Sequence, residues 1–363
     1  MTEITVLFQG SEFDFSSYKG VTGTINDWGF TDTSMAANIL RSQYLGINKG
    51  AAKQQRLAAE GLKEVMDKYP NARVNLYAHS LGSMDGQVAL ASLEDSYLQR
   101  IDGAYLYEGP NTYPVLTDKQ KQQVDKIKYK IFNYVDTNDL IPIGYPASGS
   151  EGVVGTLVRI NSKQTGDWIS QHMWGGYDYK AGYLNVQEAD LQGYHLARVK
   201  QVQEQLELKR QSLSGLYQKV SAGGYTRTES IYMDSEQAMA FTASLSDVAA
   251  ISVEAVMAFC DYGISKVSGK WAALLSQASL VPNALFLSEA EIVDALAQAG
   301  ATKDTIETRV INELEEIRAK AVKIKEDFSA LSASIADGIR KMTEADEGLA
   351  KEYQIWGSIQ KTK

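Results

Sequence analysis

Apolar and polar positions alternate along Arg73-Val74-Asn75-Leu76-Tyr77-Ala78, with Val74, Leu76 and Ala78 on one side, which is the pattern of a strand. The chain then becomes small and glycine-punctuated through His79-Ser80-Leu81-Gly82-Ser83, and Met84 to Leu98 has helical spacing. Similar patterning predicts strands over 4–8, 101–107, 129–135 and 153–160, the last at an edge. Helices are predicted over 34–44, 49–69 and 118–126, with Leu57, Gly61, Leu62, Val65 and Met66 forming the apolar face of the second. Residues 12–34, rich in Gly, Ser, Asp and aromatics, lack a sustained period and predict a long loop or lid; 166–184 is irregular and aromatic-rich. Strands alternating with helices predict an α/β domain with a mostly parallel sheet.

The period changes near Asn185. Helices are predicted over 186–220, 234–267, 270–279, 288–299, 302–343 and 346–359. Ser288-Glu289-Ala290-Glu291 fits a capping box and Gly300 a helix end. Val310, Leu314, Ile317, Ala321, Ile324, Phe328, Leu331 and Ile335 advance by threes and fours along one face. Two domains follow: 1–184, and an all-α elongated domain over 185–363 that forms a helical hairpin or stalk. Ala238 to Ile264 is the one stretch apolar enough to suggest a membrane span, but it carries Asp247, Glu254 and Asp261 seven apart. Each carboxylate costs roughly 2.5–3.5 kcal/mol at bilayer depth, so a packed helix with an acidic stripe is the expectation.

Composition narrows the chemistry. The chain has 363 residues, 44% hydrophobic and 22% charged, a balance typical of globular protein. A net charge of −9 without a basic tract argues against nucleic-acid binding. The single cysteine, Cys260, excludes an intrachain disulfide. No basic stretch followed by an apolar core opens the chain, so a conventional signal peptide is not expected. There is neither a His/Cys ligand cluster nor a G-x-x-x-x-G-K phosphate cradle, so no metal and no cofactor are expected.

Strand, tight turn with a central serine, helix: this is the context of a nucleophile elbow, with Ser80 at its tip. Ala78 and Gly82 leave room for the sharp turn, and the Leu81 amide opens the helix where a developing oxyanion can be held. A serine nucleophile needs a base and an orienting carboxylate. The strand ending at Val135 delivers Asp136-Thr137-Asn138-Asp139-Leu140-Ile141-Pro142 to the same sheet edge. Asp139 is the preferred acid, and Asp136 is read as a turn cap. Only His79, His172 and His195 exist. His79 adjoins the nucleophile and is read as packing or support. His172, in a loop, is preferred as base over His195 at the start of a long helix. Phe8-Gln9-Gly10-Ser11 supplies the second oxyanion donor at Ser11, across from Leu81.

Phe8-Gln9-Gly10-Ser11, Asn26-Asp27-Trp28 with Asp32, Ala78-His79-Ser80-Leu81-Gly82-Ser83 and Asp139-Leu140-Ile141-Pro142 together resemble the fungal-type (class 3) lipases over about residues 4–180. The resemblance implies an α/β-hydrolase in which Ser11, Ser80 and Asp139 are hole serine, nucleophile and acid, and a lipid ester substrate, phospholipid or glyceride. Gln9 and Ala78 depart from the family's usual arginine and glycine, and the chain opens directly on the hole-forming strand. A lipase followed by long helices resembles the type VII-secreted bacterial lipase toxins, whose helical region is similar to LXG domains. Short echoes are Leu213-Ser214-Gly215, Trp356-Gly357, Tyr225/Glu229 and Tyr232/Glu236. That resemblance implies export without a cleaved signal peptide, small helical partner or chaperone proteins, and an immunity protein on the lipase domain. The alternatives are a cytoplasmic acylhydrolase with a helical oligomerisation domain and a non-catalytic helical interaction protein.

Overall fold

The computed structural model describes residues 3–9, 53–147, 149–180, 182–223, 227–282 and 286–360. The predicted loop or lid at 12–34, the helix at 34–44 and Ser11 lie outside the described residues, as do the motif side chains of Leu213, Tyr225 and Trp356. The chain divides into two compact units, Met1–Gln201 and Val202–Lys363.

In the first unit, strands β1 (Glu3–Phe8), β2 (Arg73–His79), β3 (Ile101–Tyr107), β4 (Ile131–Asp136) and β5 (Thr156–Ile160) form one sheet in sequential order. Every neighbouring pair is parallel. Helices α1 (Lys53–Lys68), α2 (Leu81–Ala91) and α3 (Asp118–Lys126) occupy the crossovers. An α/β architecture with a parallel sheet followed by helices is therefore what the chain adopts. Parallel strands in sequential order with crossovers of one hand place their helices on one face. The core there is built from Leu62 and Met66 of α1, Val88 and Leu90 of α2, Val124 of α3, and Val74, Leu76, Leu106 and Ile131 of the sheet. In α1 the inward row is Gln55, Leu62 and Met66, and Leu57 is exposed, so the apolar face is rotated from the predicted one.

The opposite face is aromatic. Tyr77 stacks on Tyr105 and Tyr107 on Tyr134, with centroids 4.9 and 4.8 Å apart. Tyr194, early in helix α5 (Glu188–Gly223), meets Phe132 edge-on at 5.8 Å. Arg159 of β5 grips Asp190 through its Nε (3.0 Å) and Nη2 (3.1 Å), and the Arg159 amide also donates to that carboxylate (2.9 Å). This buried fork ties the first turn of α5 to the last strand.

Two predicted elements are shorter than their patterns. The helix after Ser80 ends at Ala91, where Ser92 Oγ bonds back to the Val88 carbonyl at 2.7 Å, and a single turn, Asp95–Leu98, follows. Val153 and Val154 are buried but precede β5. The irregular 166–184 segment contains a five-residue helix, α4 (Trp168–His172), and a small ribbon, β6 (Tyr179–Lys180) with β7 (Tyr183–Leu184).

The second unit is helical. Its long elements are α6 (Arg227–Val267) and α9 (Arg309–Gln360), with α7 (Lys270–Ala278) and α8 (Glu289–Gln298) between them. The capping box at Ser288 and Glu291 forms, and Gly300 takes φ +81° just past α8. The two helices predicted over 302–343 and 346–359 are instead continuous in α9, after a single π turn at Asp304–Thr308. Arg340 bridges Asp337 and Glu344 across the predicted break, and pairs at such spacing sustain a helix. At about 1.5 Å per residue, α9 is roughly 78 Å long.

Residues on α6 and α9 pair in opposite order: Asp261 with Arg318 at 3.4 Å, Gly263 against Leu314. The hairpin is therefore antiparallel. The apolar row of α9 is split between two environments. Ala321 is buried, whereas Ile317, Ile324 and Leu331 are about half exposed. Ile317 and Ile324 line an apolar groove of about 420 Å³ with Leu245, Val253 and Val256 of α6. Asp234–Ala278 includes the one helix among the described residues long and apolar enough to cross a membrane, with 33% of its apolar window buried. Of its acidic stripe, Glu254 is buried and Asp261 is paired with α9, while Asp247 is exposed.

Candidate active site

Three parallel strands end at one rim, and the site is built there. β2 runs into Ser80, which takes φ 57° and ψ −127° before α2 begins. That backbone region is costly for a residue with a Cβ, about 1–3 kcal/mol. It is stabilised by the Ser80 amide donating to Tyr107 of β3 (2.9 Å) and by the Ser80 carbonyl accepting from Ser83 (2.9 Å). Room for the turn comes from Gly82, where a Cβ would lie 2.3 Å from the Phe8 carbonyl oxygen. Among the described residues, the three non-glycine positions with positive φ are Ser80, Glu108 and Trp174, and all three belong to this rim.

The 137–155 connection carries Asp139. Its amide donates to the Asp136 carbonyl (3.1 Å) and its Oδ1 accepts from the Ile141 amide (3.0 Å), which fixes the side chain. Oδ2 then lies 2.6 Å from Nδ1 of His172 at the end of α4, and Nε2 of His172 lies 2.7 Å from Ser80 Oγ. A carboxylate only accepts, so Nδ1 carries the proton and Nε2 is free to accept from the serine hydroxyl. Ser80 is 2% and His172 1% exposed, so the contact is shielded from water. The arrangement can deprotonate a serine and stabilise the imidazolium that results.

Of the other candidates that the sequence singles out, Leu81 opens α2, where the first amides have no partner within the helix. The carboxylate that meets the His172 ring is that of Asp139, not that of Asp136. Asp136 caps the turn, its Oδ1 accepting from the Asn138 amide at 2.8 Å, and it does more. Its Oδ2 accepts from Gln171 Nε2 (2.6 Å) and its Oδ1 from the Ser162 hydroxyl, while its amide donates to Glu108 at 3.0–3.1 Å. Glu108 also accepts from Tyr177, and burial holds its carboxyl well above the usual carboxylate range. Gln171 Oε1 in turn accepts from the Thr165 amide (3.0 Å). This buried polar network holds Gln171, the residue directly before His172, and the sequence pattern does not reveal it. Its one local signal is two charges at strand ends, which also fits ordinary turn residues.

His195 lies in α5, buried, and neither ring nitrogen has a hydrogen-bond partner among the described residues. Burial, helped by Arg198, lowers it to about 4. Its charged form is thus disfavoured in the folded state, so the parent loses stability as pH falls from the unfolded value of about 6.5 toward 4. His195→Leu lacks this titration. Its stability relative to the parent, read from urea midpoints, is expected to rise by about 2 kcal/mol between pH 7 and pH 4.5. A difference independent of pH would show the ring to be solvated.

With that geometry in place, residues 48–189 match the Mbeg1-like family, which is a lipase-like family. The match, together with the parallel sheet, supports a lipase-like α/β-hydrolase domain over these residues. The match spans fewer than half of the chain's residues and contains Ser80, Asp139 and His172. No curated protein and no solved structure matches the chain. Among the described residues no cluster of three His, Cys, Asp or Glu side chains is arranged to hold a metal ion.

Proposed function

We propose that the protein is a serine carboxylester hydrolase acting on lipid esters, of lipase or phospholipase A type. The observation that carries this reading is the buried Ser80–His172–Asp139 chain of contacts at 2.7 and 2.6 Å. Ser80 Oγ attacks the acyl carbonyl carbon as His172 Nε2 takes its proton. The tetrahedral oxyanion is held by the Leu81 amide and by Ser11. The carbonyl re-forms, and His172 returns the proton to the departing alcohol. Water, deprotonated by His172, then releases the fatty acid from Ser80. Asp139 stabilises the imidazolium in both halves.

Lipid as substrate is supported by the residues next to the acid and base. Leu140, Trp168, Met173 and Trp174 are exposed large apolar side chains on the loops bearing Asp139 and His172. Exposed aromatic and aliphatic side chains beside a site suit an apolar, interfacial substrate. The helical unit supports the second half of the reading: a type VII-exported antibacterial toxin whose helices direct export and bind small helical partners, countered by an immunity protein. Its half-exposed apolar row and the groove between α6 and α9 are a surface of the helix-in-groove kind.

The test is labelling with a fluorophosphonate probe alongside hydrolysis of phosphatidylglycerol and triglyceride vesicles. Ser80→Ala and His172→Ala are expected to lose labelling and to lower turnover by about 10⁴-fold or more, with His195→Ala near the parent. Parental labelling of Ser80→Ala would sink the proposal. Secretion dependent on residues 202–363 tests the export half.

A further inference from the structure

Ser80 and His79 are neighbours at the end of β2, and both reach the same residue. Ser80 Oγ meets the His172 ring, whereas His79 Nε2 lies 2.9 Å from the His172 backbone carbonyl oxygen. A carbonyl only accepts, so His79 is protonated on Nε2 and donates. The two imidazoles have centroids 4.7 Å apart, and Trp174 closes over His79 edge-on at 4.6 Å.

The base needs such support. α4 is five residues long, too short to be rigid by itself, and the chain turns immediately after it into Trp174 at φ 62°. Gln171 anchors the near side of this turn to β4. On the far side the contact from the nucleophile's strand is His79.

We infer that His79 is a positioning residue that clamps the backbone of the base, so that the strand carrying the nucleophile also sets the height of the imidazole above it. This rests on the hydrolase reading above. Because the clamp holds the carbonyl and not the ring, His172 stays free to move its proton between Ser80 Oγ and the leaving oxygen. Neutrality of the clamp belongs to the same design. Burial lowers His79 to about 4, so no second positive charge forms beside the imidazolium during turnover.

The experiment separates the hydrogen bond from the packing. His79→Phe keeps a ring without a donor, His79→Met keeps length without a donor, and His79→Gln keeps an Nε2 donor without the ring. Phe and Met are expected to lower kcat about 10- to 100-fold with KM within about twofold, as befits a misplaced catalytic group. Gln is expected to recover most of kcat. The low-field proton resonance of the His172–Asp139 hydrogen bond should be lost or broadened in the donorless variants and retained in Gln. Parental kcat in either folded donorless variant overturns the clamp, and so does a folded Gln variant no better than Met. Ser80→Ala is assayed in parallel. If it is as active as the parent, the hydrolase reading falls and the clamp with it; if it is inactive while His79→Phe is fully active, only the clamp falls.

Discussion

Asp139→Asn is expected to lower kcat by about 10⁴-fold with little change in melting temperature. The size follows from the tautomer the carboxylate imposes. Oδ1 accepts from the Ile141 amide at 3.0 Å, and a donor there would face another donor. An asparagine therefore keeps its oxygen toward Ile141 and turns its NH₂ toward Nδ1 of His172. Nδ1 must then accept, which moves the ring proton to Nε2. Nε2 faces Ser80 Oγ at 2.7 Å and, once protonated, cannot take the hydroxyl proton. The side chain stays in place and its turn stays intact, so folding is largely spared. Steady-state hydrolysis of a short-chain nitrophenyl ester reads kcat, and calorimetry reads the fold. A variant within tenfold of the parent would mean that Asp139 does not set the protonation of the base. Asp136 is no substitute, because its carboxylate is already taken by Gln171, Ser162 and the Asn138 amide.

Much of this architecture is written in local patterns. The alternation over 73–78 and the small residues around Ser80 predict the strand, turn and helix that the chain adopts. Asp139 and His172 fall where two loops leave the sheet's rim, and the structure brings them within hydrogen-bond distance of each other. What is not legible is held together across long separations. Glu108, Asp136, Gln171 and Tyr177 make one buried network, yet each taken alone looks like a polar residue at an element's end. His79 reads as packing or support, but nothing in its neighbours foretells a bond to a carbonyl 93 residues away. The continuity of α9 past 343 is a different case, because its support is local: Arg340 pairs with Asp337 and Glu344 at helical spacing across the predicted break. The exposure of Ile317, Ile324 and Leu331 is also hidden, because periodicity places residues on a face without saying what covers it.

Gly82→Ala is expected to damage both stability and activity by adding a single methyl. Gly82 is the second residue of α2, and its missing side chain faces the end of β1. A Cβ there would stand 2.3 Å from the Phe8 carbonyl oxygen and 2.6 Å from that of Gln9. Both obstacles are backbone, so no rotamer change relieves them. Either β1 shifts outward from the rim or the first turn of α2 tilts away. β1 is parallel-paired to β2 through Phe8 and Ala78, the last pair before the elbow, so a shift of β1 strains the ladder beside Ser80. Overpacking of this kind costs about 3 kcal/mol, and more where backbone must move. For a unit of about 200 residues that corresponds to a fall of roughly 6–12 °C in melting temperature. Activity is expected to fall further than stability alone dictates, by about 10²-fold, because a tilt of α2 carries the Leu81 amide away from the oxyanion it would hold. A calorimetric scan and a kcat measurement below the transition separate the two effects. A melting temperature within about 2 °C of the parent, with unchanged kcat, would mean that β1 and α2 do not approach each other this closely.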